Sequence, residues 1–215
     1  MKEIDTQGIS YLTRVDGSTE WYWGSDYSCG DLYEAEEAFK EGRAFTPNRL
    51  LFVHYPDGRT VCPVTAREGQ YLGRPVFCDG RLIILLVDFP AGAAQLLGYD
   101  DARGQSETIA EIPMSDIESC YNLFPHASPL MLARQANDGV FRIIWPFRAE
   151  FAISHRESFD FRDGDRLYFA EWHEDEDGSN YGDDVVVRSL SGELLERIPN
   201  ASIQEMPDGQ KWLLR

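Results

Sequence analysis

The densest set of possible ligand atoms lies in residues 171–184, EWHEDEDGSNYGDD, which hold seven carboxylates (Glu171, Glu174, Asp175, Glu176, Asp177, Asp183 and Asp184) and no Lys or Arg. Calcium takes six to eight oxygen ligands on a flexible loop with a glycine at the sharp turn. Asp175, Asp177, Asn180 and Asp183, with Gly178 between them, loosely offer that set, so Ca²⁺ is the one cofactor the sequence suggests. The register of an EF-hand fails, because its first ligand position falls on His173 and no helices flank the stretch. A solvated hairpin tip, charged to keep an edge from aggregating, accounts for the same residues.

A second chemistry needs only two carboxylates across a glycosidic bond, one acting as acid and the other as base or nucleophile. Asp31, Asp79 and Asp163 are the candidates, each near the end of a presumed first strand. Asp79 and Asp163 also belong to Asp-Gly pairs, where Asp serves turn geometry with no catalytic role. The four histidines (His54, His126, His155 and His173) stand alone, without HxxxH or HExxH spacing. A Gly-x-Ser-x-Gly elbow, a P-loop and a Gly-x-Gly-x-x-Gly turn are all missing, which removes the common hydrolase, NTPase and dinucleotide readings.

Aromatic residues offer recognition without catalysis. Trp21, Tyr22 and Trp23 are consecutive, so on a strand Trp21 and Trp23 share one face and Tyr22 takes the other. The indole pair could meet a sugar or a partner side chain, or pack between sheets. Residues 122–129, NLFPHASP, are irregular and hold two prolines, and loops of that kind commonly carry binding residues. Tyr121, Asn122 and His126 are therefore the partner-facing candidates beside Trp21 and Trp23.

The elements that position these residues are short strands. Asp-Gly occurs at 16, 57, 79, 138, 163, 177 and 208, between runs of β-forming residues, the strongest short-range hairpin signal. Residues 76–113 read as a four-piece antiparallel meander: a short strand into Asp79-Gly80, then 81–89, 93–99 and 108–113. Its Asp79-Gly80 returns 84 residues on as Asp163-Gly164, and its Ile112-Pro113 returns 86 residues on as Ile198-Pro199. Four-stranded units of about 40–50 residues are the sequence mark of β-propeller blades. The pattern predicts an all-β single domain over 1–215, a small propeller of about five blades at 25–67, 70–113, 118–155, 158–199 and 202–215. The last blade is completed by the N-terminal hairpin 8–24, which would tie the two ends into one sheet. One short helix is expected near 31–41, capped by Asp31 with Glu34 three residues on and ended by Gly42. Some five-bladed propellers are glycosidases with inner-strand carboxylates around a central funnel, and that resemblance of fold is what gives Asp31, Asp79 and Asp163 their catalytic reading.

The formal charge of −17, from 20 basic and 37 acidic residues, argues against nucleic acid, whose phosphates need cations. It argues equally against an anionic membrane surface and leaves a basic partner open, although acidity most often serves solubility. Residues 1–7 lack the apolar core of a signal peptide, and the apolar run 82–87 is too short to span a bilayer. A cytoplasmic protein is expected, with Cys29, Cys62, Cys78 and Cys120 as reduced thiols. The reading that results is a binding or interaction module. A glycosidase-like enzyme is the alternative, and a Ca²⁺-binding structural protein comes third.

Overall fold

The computed structural model describes residues 1–26, 30–127, 129–175, 178, 181–206 and 208–215. The first sheet is built by strict alternation. Its strands β1 (Thr13–Arg14), β2 (Trp21–Ser25), β3 (Leu50–His54) and β4 (Thr60–Val61) lie side by side in that order. Residues two apart share a face. Trp21 and Trp23 therefore point the same way as Phe52, which faces Trp23, and Leu50, one rung pair further along β3, and all four are buried in one core with Val15. Tyr22, Leu51 and Val53 point the other way and pack with Ile9.

Between β2 and β3 the chain makes an excursion through helix α1 (Leu32–Lys40). Asp31 caps it. Its carboxylate accepts from Glu34 N at 2.8 Å while the Glu34 carboxylate accepts from Asp31 N at 2.8 Å, a reciprocal capping box. Leu32, Ala35 and Ala38 form the buried face. Glu36 is buried with them, and its carboxylate accepts from Cys120 N at 2.8 Å and pairs with Lys40 at 3.1 Å.

The second sheet contains β5 (Gln70–Leu72), β6 (Val76–Cys78), β7 (Arg81–Asp88), β8 (Ala93–Asp100) and β9 (Gln105–Pro113). Its order is β5-β7-β8-β9, with β6 also on β7. Leu82 to Val87 are all buried, so both faces of β7 are covered and its sequence is a continuous apolar run. The outer strand β9 is largely exposed and carries Glu107 and Glu111, paired to Arg81 and Gln95. Charge on an edge strand discourages further pairing.

Two compact units divide the chain at Ala127/Ser128. The first contains these two sheets, α1, and the strand β10 (Leu123–His126). In the second, β11 (Met131–Gln135), β12 (Val140–Trp145) and β13 (Ala149–Ala152) pair in sequence. Then β14 (Glu157–Asp163), β15 (Arg166–Glu174), β16 (Tyr181–Ser189) and β17 (Leu194–Ile198) form a four-stranded meander. A two-stranded hairpin, β18 (Ser202–Glu205) with β19 (Lys211–Leu214), ends the chain. Met131, Phe141, Ile143, Leu167, Phe169 and Val186 are the buried centre of this unit. Phe141 touches three other phenylalanine rings, with centroids 5.4 Å from Phe151, 4.8 Å from Phe159 and 5.2 Å from Phe169.

The chain is all-β, with antiparallel sheets of the β-propeller type and one α-helix, as the repeat implies. The count is a correction: among the described residues there are four such sheets where about five were expected. The expectation joined the hairpin 8–24 to the C-terminal strands. Among the described residues, however, β18 and β19 pair with one another alone, and β1 and β2 belong to the first sheet. The reason is burial. The register Trp21↔His54 through Ser25↔Leu50 puts both indoles against Phe52 and Leu50. The first sheet accordingly starts at Thr13, and α1 is an insertion within it rather than part of a separate blade at 25–67. Among the described residues no helix is long and apolar enough to cross a membrane.

Candidate binding cleft in the first unit

A cleft of about 440 Å³ opens in the first unit. Its floor follows from the alternation of the first sheet, because Trp23 and Ser25 lie on one face of β2 and Leu50 stands across from Ser25. Tyr71 and Leu72 of β5, followed by Gly73 and Arg74, make one wall. The start of α1, with Asp31 and Leu32, makes another, and Leu123 and Phe124 of β10 a third. Tyr11 and Thr13, both exposed, stand at its rim.

The polar groups of the lining are largely occupied with the protein itself. Asn48 is 1% exposed, and its amide donates to Leu72 O and accepts from Leu72 N, both at 2.8 Å. It thereby gives the end of β5 the two bonds a neighbouring strand would give. The Tyr71 hydroxyl donates to Gly30 O at 2.8 Å. Arg74 donates from Nη2 to Asp16 at 2.6 Å. The surface left for a guest is aromatic and aliphatic: Trp23, Tyr71, Phe124, Leu50, Leu72 and Leu123.

Of the three carboxylates proposed for catalysis, only Asp31 lines this cleft, and it is the helix cap. Asp31→Ala is expected to cost about 1 kcal/mol of stability, with Asp31→Ser keeping most of it. Urea denaturation of both variants checks this, and equal losses for the two would remove the capping role. Asp79 is the left-handed residue (φ 50°) of the turn between β6 and β7. Asp163 ends β14 opposite Arg166, in the second unit. Both sit where hairpin geometry asks for Asp-Gly, and every glycine of the seven Asp-Gly pairs takes positive φ.

Trp23 reaches the cleft, whereas Trp21 stays inside the core, tilted against His54 at 4.8 Å with the Arg59 guanidinium 5.6 Å above its ring. Tyr121 meets Tyr33 edge-on at 5.4 Å, and Asn122 holds a left-handed turn (φ 47°) before β10. The irregular stretch does contribute to the cleft, but through Leu123 and Phe124. His126 is half-buried at the end of β10. Burial, and then the nearby Arg74 charge, push its pKa down to about 4.

That depression has a pH consequence. Unfolded chains take up a proton at His126 below about pH 6.5, while the folded protein takes it up only near pH 4. His126 therefore leaves stability intact above pH 6.5 and removes up to about 3 kcal/mol as pH falls from 6.5 to 4. Denaturation midpoints between pH 7 and 4 are expected to fall less steeply for His126→Gln than for the wild type. Parallel slopes would show that His126 does not titrate in this way.

The proposed calcium ligands divide. Asp177 and Asn180 lie outside the described residues. Asp175 accepts from Gly178 N through its carbonyl at 2.9 Å, and Asp183 stands on β16 opposite Trp172. Among the described residues no group of three or more His, Cys, Asp or Glu side chains could hold an ion.

Asn48, Tyr71 and Arg74 escaped sequence reasoning. A side chain that clamps a neighbouring backbone leaves no periodic mark, and Tyr71 reads only as an ordinary strand aromatic. No family model matches the chain, and no curated protein matches it. A solved structure similar to it is the crystal structure of Porphyromonas gingivalis dipeptidyl peptidase 4, at 10% identity and a TM-score of 0.44. The match covers 97% of this chain and 42% of that one, so the chain spans less than half of that protein's length. A likeness this distant carries no argument about activity.

Proposed function

We propose that the protein is a binding module and that the cleft of the first unit is where it takes hold of its ligand. One observation carries the reading. The cleft is lined by aromatic and aliphatic side chains at Trp23, Tyr71, Phe124 and Leu50, while the Asn48 amide and the Tyr71 hydroxyl are engaged by Leu72 and Gly30. Such a surface recognises shape and apolar area, and its volume lies within the range of small-molecule pockets. A saccharide would call instead for several free donors and acceptors along the wall.

The test is a titration of the full chain with N-acetylphenylalanine amide and, separately, methyl glucoside, followed by NMR of the aromatic signals. The amide is expected to shift Trp23, Tyr71 and Phe124. Thr13→Trp, which adds bulk at the exposed rim, is expected to weaken that binding tenfold or more. Shifts by the glucoside alone would replace this reading with a carbohydrate site. If neither compound moves the three residues, the cleft is not the binding site.

A further inference from the structure

Among the described residues Arg74 is the one cationic side chain of the cleft lining, and it is only partly occupied. Its side chain is 48% exposed, and Nη2 donates to Asp16 Oδ2 at 2.6 Å. A guanidinium carries five N–H donors in a rigid plane, so one ion pair leaves an edge of the fork for a second acceptor. Asp16 is itself fixed. Its carbonyl accepts from Phe77 N at 2.7 Å, and the residue bridges to Val76 at the start of β6. The ion pair thus holds the fork in place at the cleft that Trp23, Tyr71 and Phe124 line.

The other charged group of the lining, Asp31, has Oδ1 engaged by Glu34 N at the helix start. A cation against an apolar surface, already oriented by a carboxylate, is suited to an anion of matching plane. Charge-assisted bonds from Arg to carboxylate are frequently bidentate and about twice as strong as neutral ones.

Resting on the cleft reading above, we infer that the ligand is a small monocarboxylate with an aromatic or aliphatic body. The body lies against Trp23, Tyr71 and Phe124, and the carboxylate accepts from the open edge of Arg74. Asp16 is a positioning residue for that fork.

The experiment compares 3-phenylpropionate with 3-phenylpropanamide, which has the same body without the charge, both titrated into the full chain and followed by NMR. The carboxylate is expected to bind at least tenfold tighter than the amide. Arg74→Met is expected to bring the carboxylate down to the affinity of the amide. Arg74→Lys keeps the charge without the fork and should retain part of the preference. Asp16→Asn should weaken the carboxylate a few-fold and spare the amide. Equal binding of the two compounds to the wild type overturns this inference and leaves the cleft reading standing. If neither compound perturbs Trp23, Tyr71 or Phe124, both readings fall together.

Discussion

Arg188→Met is expected to destabilise the protein by roughly 3–5 kcal/mol, because it strands a carboxylate in the interior. Glu157 has a side chain only 2% exposed, and Arg188 grips it from two sides, Nε to Oε2 and Nη2 to Oε1, each at 2.8 Å. Oε1 also accepts from Ser154 N at 3.0 Å, and Arg188 Nη1 donates to Gly192 O at 2.9 Å. Gln135 reaches the same place, donating to Glu157 O at 2.6 Å and accepting from Phe159 N at 2.9 Å. The pair ties the start of β14 to the end of β16 and to the turn beyond it. Removing the cation leaves the anion in a site that cannot solvate it, so the loss reflects desolvation more than the worth of the pair.

The double variant Glu157→Gln/Arg188→Met separates the two contributions. It should recover a large part of the loss, on the order of 2 kcal/mol, since no uncompensated charge remains. Guanidinium denaturation of the three proteins decides the matter. A single variant within 1 kcal/mol of wild type, or a double variant no better than the single one, would falsify this account.

Phe141→Ala should be comparably costly, at roughly 3–5 kcal/mol, through a cavity rather than a charge. Phe141 is 1% exposed at the centre of the ring cluster with Phe151, Phe159 and Phe169. Those rings come from β13, β14 and β15, so they cannot close in without shifting three strands. Phe141→Leu keeps most of the volume and should lose roughly 1–2 kcal/mol. Thermal melts of both variants test this, and a Phe141→Ala protein as stable as Phe141→Leu would mean that the cluster collapses freely.

Much of the strand pattern was legible because turn chemistry is local. The second sheet runs from Gln70 to Pro113, the span expected for that blade, and β14 to β17 together span Glu157 to Ile198, within a residue of 158–199. Asp-Gly marks the β6–β7 and β14–β15 turns directly, and alternating or continuous apolar runs mark the strands. Pairing across an insertion is not local. The partner of Trp21–Ser25 lies beyond α1, at Leu50–His54, and only the burial of both indoles against Phe52 and Leu50 selects it.

The candidate site was legible in the same uneven way. Trp23 and Asp31 were marked by residue type, although the cleft uses one as floor and the other as a cap. Asn48 and Arg74 became visible only with the fold, since their roles depend on Leu72 and Asp16, 24 and 58 residues away.

Ser25 and Leu50 face each other across the first sheet, so residues 26–49 leave it and rejoin it at a single rung. Loop closure grows slowly with length, at about 0.6 kcal/mol per doubling, so the length of such a segment costs the sheet little. It also supplies Asp31, Leu32 and Asn48 to the cleft. Framework and preference therefore meet in one segment. The stretch that shapes the cleft also completes the bonding of β5 through Asn48 and holds Cys120 through Glu36, so a change of its sequence for the sake of the cleft must keep both attachments.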